Sequence, residues 1–286
     1  MTIDLKHLSK WVRPSQTVTD RITPFASNAL AATLNRDDPA YADQTPLPPL
    51  WHWLHFLPIH KLEDAGYDGH AALGEFLPPV PLPRRMWAGS RLSWMAPMRI
   101  GQTLHKVSTI VSVDHKQGRS GDLVFVTLRH QVFDGDVQGI EEEHDIVYRA
   151  PADPNTPVPL PPQAPDSSAF SRTVSPDPVL LFRYSALTFN GHRIHYDLPF
   201  CTGTEGYPGL VVHGPLLATL MLDLLRREMP QAHVTAFDFR AVSPVFDTHD
   251  FSVHGQPNNN GTIKLWVRRH DGALAMTATA TLENTK

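Results

Sequence analysis

The sequence predicts an α+β protein whose two halves repeat one order of elements, a helix followed by long antiparallel strands. Helical patterns cover residues 24–35 and 215–229. Each is followed by runs in which β-branched and apolar residues alternate with polar ones, over 84–150 and 232–283. Such alternation is typical of half-buried strands. A Pro-rich segment, 151–178, separates the two halves.

The chain of 286 residues is long enough for two domains or one double-length fold. We expect an N-terminal domain over 1–150, a linker over 151–178 and a C-terminal domain over 179–286. The linker holds nine prolines, which lack the N–H that a strand or helix interior needs. An extended segment is therefore predicted there. Two unrelated α+β domains remain the alternative.

Each predicted helix has a recognisable start. Thr23 is a good N-cap and Pro24 suits the first helical position. Pro215 opens an apolar second helix that carries Arg226 and Arg227 near its C-terminal end, where cations are favoured. The second helix is the clearest element in the chain.

The strands are delimited by turn-like residues. In the N-terminal half, Phe133-Asp134-Gly135-Asp136 is a strong hairpin signal. The predicted strands are 86–95, 103–116, 122–133 and 137–150 in the first half, and 232–242, 248–256, 261–270 and 273–283 in the second.

Composition excludes several classes of function. The net charge is −4 and the isoelectric point about 6.4, so nucleic acid and anionic membranes are not expected partners. Cys201 is the single cysteine, so an intramolecular disulfide is impossible and a cytoplasmic location is expected. The N-terminal residues are polar and do not resemble a secretory signal. No run approaches the roughly 20 apolar residues of a membrane span.

The segment 182–217 concentrates groups that transfer protons or donate hydrogen bonds. It contains His192, His195 and His213, and His213-Gly214-Pro215 leads directly into the second helix. Histidine titrates near neutral pH and suits general acid–base catalysis. A helix start offers free N–H groups and the positive end of a dipole to a developing oxyanion. We expect this segment to be the active site.

This segment, with SALTFNGHRIHYD and GYPGLVVHGPL, resembles the catalytic segment of the MaoC-like hotdog hydratases and dehydratases. Their pattern is Gly-Asp-x-Asn-Pro-x-His, a loop, and a hydrophobic-His-Gly at the start of the central helix. LPPLWHWLHFLP and FLPPVPLPRRMWAG are similar to the long branch that includes mesaconyl-C4-CoA hydratase and the mitochondrial 3-hydroxyacyl-thioester dehydratase. The resemblance implies a double hotdog, two long antiparallel sheets each wrapped around a central helix.

The resemblance also implies roles for single residues. His195 falls on the catalytic histidine, and Gly214 falls on the glycine whose N–H contacts the thioester carbonyl. His192 falls on the usual Asn, and Asn190 falls on the usual catalytic Asp. An amide cannot act as a general base near neutral pH. Either His195 then carries the proton transfer while Asn190 holds the water, or a carboxylate such as Asp197, Glu205 or one outside the motif replaces the Asp.

Other residues have two interpretations. His192 and His213 are candidate substrate-binding groups, with loop exposure and packing at the helix entrance as the respective alternatives. Arg193 is a candidate for a CoA phosphate or a distal substrate carboxylate, against a solvent-facing arginine. Arg84 and Arg85 are candidates for the CoA phosphates, against solvated surface.

The implied function is an acyl-CoA hydratase, reversibly a dehydratase, that adds water to a 2-enoyl thioester such as mesaconyl-C4-CoA or itaconyl-CoA. The second candidate substrate is a simple 3-hydroxyacyl thioester. No metal or organic cofactor is expected, and a homodimer is one option for the assembly. The rival classes are a metal enzyme using His192, His195 and Asp197, a thioesterase using Ser185 or Cys201, and a non-catalytic acyl-CoA-binding protein.

The N-terminal half has no His-Gly helix start, so it is predicted to be non-catalytic and to form a wall of the acyl pocket. Trp51, Trp53 and Phe76 are the candidate wall residues. The long irregular stretch 58–83 is expected to lie over a surface or a site.

Overall fold

The computed structural model describes residues 3–118, 121–150 and 160–283. Its strands form one antiparallel sheet in the order β1-β3-β4-β5-β2-β7-β10-β9-β8-β6. The strands are β1 (Ser15–Arg21), β2 (Arg84–Trp94), β3 (Thr103–Gly118), β4 (Gly121–Asp134), β5 (Val137–Arg149), β6 (Phe170–Val174), β7 (Val234–Ala241), β8 (Phe251–Pro257), β9 (Thr262–Arg268) and β10 (Leu274–Leu282).

The helices are few. They are α1 (Leu5–Leu8), α2 (Pro24–Thr33), α3 (Pro178–Leu187) and α4 (Gly214–Glu228). Short 3-10 turns lie at Ser9–Trp11, Trp51–Leu54, Leu62–Asp64 and Arg193–His195, and a π-helical turn lies at Phe200–Thr204. The predicted α+β class is confirmed, and both predicted central helices are present as α2 and α4.

The two predicted sheets are joined edge to edge. β2 from the first half pairs with β7 from the second, with Gly89 opposite Arg240 and Ser93 opposite Ala236. Ten strands therefore form one continuous hydrogen-bonded sheet, and the halves share a core.

Part of the Pro-rich linker forms regular structure. Residues 151–159 lie outside the described residues. Residues 170–174, which contain no proline, form β6 at the sheet edge and pair with β8. The prolines lie on either side of this stretch and leave its N–H groups free to pair, so part of the predicted linker belongs to the sheet edge.

Helix α4 is the centre of the C-terminal half. Residues 216–225 are all buried, which fits a helix enclosed on every side. Its one buried acid, Asp223, receives hydrogen bonds from Arg36, Arg172 and Arg227. Arg227 also donates to the carbonyl of Leu34, just beyond the end of α2. These ion pairs fix α4 against both β6 and the N-terminal half.

Candidate active site

The predicted catalytic turn follows α3 and ends in the 3-10 turn that holds His195. Val211 fixes this turn from the other side of the segment. Its N–H donates to the carbonyl of Ile194 over 2.9 Å, and its carbonyl accepts a hydrogen bond of 2.6 Å from Nδ1 of His195. A carbonyl only accepts, so Nδ1 carries the proton and Nε2 keeps a free lone pair.

The imidazole of His195 is neutral in this environment. The side chain is buried, with an exposed fraction of 7 %. Burial lowers the pKa of His195 to about 4, because the charged ring would lose its hydration. At neutral pH the ring is therefore unprotonated at Nε2 and able to accept a proton.

His213 lies directly behind His195. The two rings stack with centroids 3.7 Å apart and an interplanar angle of 19°. Nε2 of His213 is 2.8 Å from the hydroxyl of Ser185, and the side chain has an exposed fraction of 0 %. His213 thus packs against the ring of His195 at the helix entrance, and the substrate-binding role predicted for it stays a prediction.

Gly214 is the first residue of α4, next to His213. Within residues 3–118, 121–150 and 160–283, no acceptor takes the backbone N–H of Gly214 or Leu216. A Cβ added at Gly214 would find its nearest neighbour, Cε of Met276, at 4.0 Å. The helix start therefore combines free N–H donors with open space above the backbone, which is the arrangement of an oxyanion-binding site.

Asn190 has a local partner. Its Oδ1 accepts the backbone N–H of His192 over 3.0 Å, which closes an Asx-type turn. This contact shapes the turn that carries His192 and His195. The prediction that Asn190 holds the reacting water has no contact that tests it.

Arg193 is already paired. Its Nε and Nη2 lie 3.0 and 2.8 Å from Oδ2 of Asp197, its Nη1 donates to the carbonyl of Tyr67, and its guanidinium covers the ring of Phe200. These contacts use much of its hydrogen-bonding capacity within the turn, while 39 % of the side chain stays exposed, and a role for Arg193 in binding a phosphate or substrate carboxylate stays a prediction.

The two carboxylates expected to replace the usual Asp are also engaged. Asp197 binds Arg193 and accepts the N–H of Phe200, and these contacts lower its pKa. Glu205 pairs with Arg84, with Nε and Oε2 3.0 Å apart. Neither carboxylate makes a hydrogen bond to a histidine of the turn.

A third carboxylate, absent from the predicted set, lies beside the turn. Asp68 comes from the long irregular stretch of the N-terminal half, and its Oδ2 is 2.9 Å from Nδ1 of His70 and 4.0 Å from Nε2 of His192. The stretch therefore lies against the turn, where the N–H of Arg193 donates to the carbonyl of Asp68. The available signal was the Tyr-Asp-Gly-His sequence within it, a carboxylate and an imidazole in a loop too long to be a simple connection.

Asp68, His70 and His192 also form the one set of potential metal ligands with mutually close ligand atoms in the described part of the chain, within 4.8 Å of one another. The metal set predicted from spacing, which includes His195 and Asp197, is not brought together, because Nδ1 of His195 is bound to Val211 and Asp197 is bound to Arg193.

The thioesterase candidates lack activation. The thiol of Cys201 is buried and donates to the carbonyl of Gly209 over 3.0 Å. Burial raises the pKa of Cys201 to about 11, which keeps it a thiol. Ser185 pairs with His213, but Nδ1 of His213 has no partner in the described residues that would orient the ring.

The N-terminal aromatic residues divide into different roles. Trp51 is in the core and Phe76 packs on a separate apolar cluster with Val80 and Leu82. Trp53 is half-buried and packs edge-on against Trp87, with ring centroids 4.9 Å apart. Among the three predicted wall residues, Trp53 is thus the half-buried one that packs against a second tryptophan.

Arg85, at the start of β2, is close enough to the histidine cluster for its charge to act on His70 and His192. No carboxylate of the described residues lies within 4.0 Å of its guanidinium. Burial is the main cause of the lowered pKa values of His192, His70 and His144, and the positive charge of Arg85 contributes to each.

The fold and the His195–Gly214 arrangement define a hotdog protein of the hydratase and dehydratase class. The model of the hydroxyacyl-thioester dehydratase type 2 family matches residues 50–247. Mesaconyl-C(4)-CoA hydratase of Chloroflexus aurantiacus is 46% identical over 275 residues, which cover 95% of this chain and 96% of that protein. The chain therefore belongs to the hydroxyacyl-thioester dehydratase type 2 family and is a hydro-lyase.

More distant proteins share the fold. The mitochondrial hydroxyacyl-thioester dehydratase type 2 of Schizosaccharomyces pombe is 29% identical over 250 residues, 79% of this chain and 81% of that protein. The crystal structure of a MaoC-like dehydratase from Phytophthora capsici superposes with a TM-score of 0.68 at 14% identity, covering 99% of this chain and 98% of that one. HtdX of Mycobacterium tuberculosis gives 0.64 at 20% identity, covering 94% and 100%.

No helix in the described ranges is long and apolar enough to cross a membrane.

Proposed function

We propose that the protein is an acyl-CoA hydratase, reversibly a dehydratase, that adds water across the double bond of a 2-enoyl thioester. The observation that carries the proposal is the pairing of a neutral His195, with its lone pair on Nε2, and the free N–H groups at the start of α4. Hydration needs these two elements, a base for the water proton and donors for an enolate-like oxygen.

In the proposed reaction the thioester carbonyl binds at the N–H groups of Gly214 and Leu216. Nε2 of His195 removes one proton from water while the oxygen attacks C3. The electrons of the C2–C3 double bond move toward the carbonyl, whose oxygen becomes enolate-like. C2 then takes up the proton that Nε2 of His195 removed from the water, so both hydrogens of water end in the 3-hydroxyacyl thioester.

The proposed substrate is a branched C5 dicarboxylic thioester, mesaconyl-C4-CoA or itaconyl-CoA, by analogy with the relative that is 46% identical. Such a substrate needs a cation for its free carboxylate. Arg193 is bound to Asp197, so we assign this contact to Arg85, which has no acidic partner in the described residues. A simple fatty 3-hydroxyacyl thioester is the second candidate, supported by the name of the mitochondrial relative.

The reaction as proposed uses no metal or organic cofactor, and we place it in the cytoplasm of the cell. Homodimer formation stays a prediction. Activity that survives prolonged dialysis against a chelator would support the cofactor-free mechanism, whereas loss that a divalent metal restores would contradict it.

The test is a substrate screen with crotonyl-, mesaconyl-C4- and itaconyl-CoA, in which the enoyl-thioester absorbance and the free thiol are followed together. We expect the absorbance to fall with no thiol released. Released thiol would show a thioesterase, and no change with any of these thioesters would contradict the proposal.

A further inference from the structure

The carboxylate of Asp68 lies between two imidazoles at the edge of the catalytic turn. Oδ2 of Asp68 accepts a hydrogen bond of 2.9 Å from Nδ1 of His70, and Nε2 of His192 is 4.0 Å away. The rings of His70 and His192 lie against each other with centroids 4.0 Å apart. The His192 ring meets that of His195 edge-on at 5.5 Å. A continuous set of groups thus runs from Asp68 to the proposed base.

Backbone contacts hold Asp68 in this place. The N–H of Arg193 donates to the carbonyl of Asp68 over 2.8 Å. Gly69 has a φ of +87°, and a Cβ on it would come within 2.0 Å of the carbonyl oxygen of Gly191. Glycine is therefore required where the N-terminal loop meets the catalytic turn. These backbone contacts fix the position of Asp68 relative to the catalytic turn.

Every other acidic group considered for this role has an arginine partner. Asp197 is bound to Arg193 and Glu205 to Arg84. Asp68 instead faces histidines, and its side chain is only 18 % exposed. Burial alone would raise the pKa of Asp68, but hydrogen bonding and charge from His70 outweigh it and hold the pKa below its usual range. Asp68 is therefore ionised at neutral pH.

We propose that Asp68, from the N-terminal half, is the carboxylate of this active site, where it fixes the orientation of His70 and His192 beside His195, the base of the proposed reaction. This inference rests on the proposed hydratase function. It makes the site composite: the half that lacks a catalytic motif of its own supplies the negative charge that Asn190 cannot. Asp68 is a positioning residue, because it acts through the imidazoles.

The groups that face His192 decide whether its pKa is raised or lowered. It is faced by Asp68 and His70 from the loop, Arg85 from β2, His195 from the same turn and His213 from the start of α4. Burial, and after it the charges of His70, His195 and Arg85, together hold the pKa of His192 down at about 2, whereas Asp68 acts to raise it. Asp68 is thus the one group of this set that favours an imidazolium at His192.

The alternative for these residues is a metal ion bound by Asp68, His70 and His192. Such an ion would bind lone pairs that point to a common centre about 2.0–2.2 Å away. Here Nδ1 of His70 points at the carboxylate oxygen as a donor, and the two rings lie face against face. A hydrogen-bonded carboxylate–imidazole set explains both contacts.

The test compares Asp68→Asn with Asp64→Asn, an exposed residue of the same loop whose side chain makes no hydrogen bond within the described residues. Asparagine keeps the shape of Asp68 and can still accept the N–H of His70. Each variant and the wild type are assayed with the enoyl-CoA that the wild type hydrates best, from pH 4.5 to 9. Circular dichroism checks folding, and elemental analysis measures bound metal.

For Asp68→Asn we expect roughly a 10- to 100-fold lower kcat with a KM within about twofold of wild type, because the change disturbs the groups beside the base and leaves thioester binding intact. Asp68→Glu, which keeps the carboxylate, should recover part of the lost kcat. Asp64→Asn should match the wild type.

Three results would overturn the inference. They are an unchanged kcat in a folded Asp68→Asn, a kcat of Asp68→Glu as low as that of Asp68→Asn, and one bound metal ion per chain that Asp68→Asn loses. Each leaves the hydratase proposal standing if the wild type hydrates an enoyl-CoA. A wild type that hydrates none of them would instead contradict the proposed function.

Discussion

The imidazole of His195 lies flat against that of His213, with ring centroids 3.7 Å apart, and His213 is itself the residue before Gly214. The stacking therefore joins the ring proposed as the base to the residue that directly precedes α4. Because Nδ1 of His195 is bound to the carbonyl of Val211, the ring cannot rotate without losing a buried hydrogen bond. The chemistry of the site depends on this fixed pair.

Gly214→Ala should fold and lose activity. The added methyl group would have 4.0 Å to its nearest protein neighbour, and no positive φ has to be adopted, so α4 should tolerate it. It would instead occupy the space where the thioester approaches the N–H groups. We expect kcat/KM to fall roughly 10- to 100-fold, an effect of the order seen when an oxyanion donor is disturbed, with an unchanged melting temperature.

Gly203→Ala is the matched control, because a Cβ there meets nothing within 4 Å. It should keep full activity. A fully active and folded Gly214→Ala would show that the thioester does not bind at the start of α4.

Arg85→Gln should remove selectivity for substrates with a free carboxylate. A hydrogen-bonded pair with a charged group contributes about 1.5–3 kcal/mol, so KM for mesaconyl-C4-CoA should rise roughly 10- to 100-fold while KM for crotonyl-CoA stays within about twofold. Arg183→Gln is the control, since Arg183 is exposed and has no salt bridge in the described residues. An equal rise for both substrates would assign Arg85 to the CoA moiety or to the fold.

Asp223→Ala should be the most destabilising change in α4. It would leave Arg36, Arg172 and Arg227 without their shared carboxylate in a mostly buried place. Breaking a buried ion pair costs about 3–5 kcal/mol of unfolding free energy. Urea denaturation measures this loss, and Glu228→Ala, an exposed acid on the same helix, should change stability by less than about 0.5 kcal/mol. Equal effects of the two variants would contradict the role given to Asp223.

Stability should fall as the pH drops from about 6.5 toward 4. Burial lowers the pKa of His195, His144 and His130 to about 4, 4 and 3, whereas in the unfolded chain histidine titrates near 6.5. Between these values the unfolded state binds more protons than the native state, so acid favours unfolding. Urea midpoints measured from pH 7.5 to 4.5 should therefore decrease steadily below pH 6.5. A flat profile over this range would mean that these histidines are protonated in the folded protein.

Local pattern predicts much of this fold. The apolar run that follows Pro215 predicts α4 to within one residue at each end, because a helix buried on all sides leaves a strong signal. Strands β1 and β6 were not predicted, since both are edge strands; the side chains of β1 are mostly exposed, and β6 is short and lies between prolines.

The site was predicted unevenly for a physical reason. His195 and Gly214 belong to one sequence segment, so a motif can reveal them. The pairing of Arg193 with Asp197 follows from a spacing of four residues and was available from the sequence. Asp68 reaches the site only because the N-terminal loop docks on the catalytic turn through Gly69 and Gly191, a contact that no local pattern encodes.

The most direct test of the account is the turnover of His195→Gln with the preferred enoyl-CoA, measured by loss of the enoyl-thioester absorbance. Glutamine removes the titrating lone pair and keeps an amide that can donate to Val211. General-base catalysis typically contributes about 10²–10⁴-fold, so kcat should fall by that factor in a folded variant. His233→Gln, at an exposed position, should match the wild type. Undiminished turnover by His195→Gln would contradict the central claim that this imidazole moves the proton.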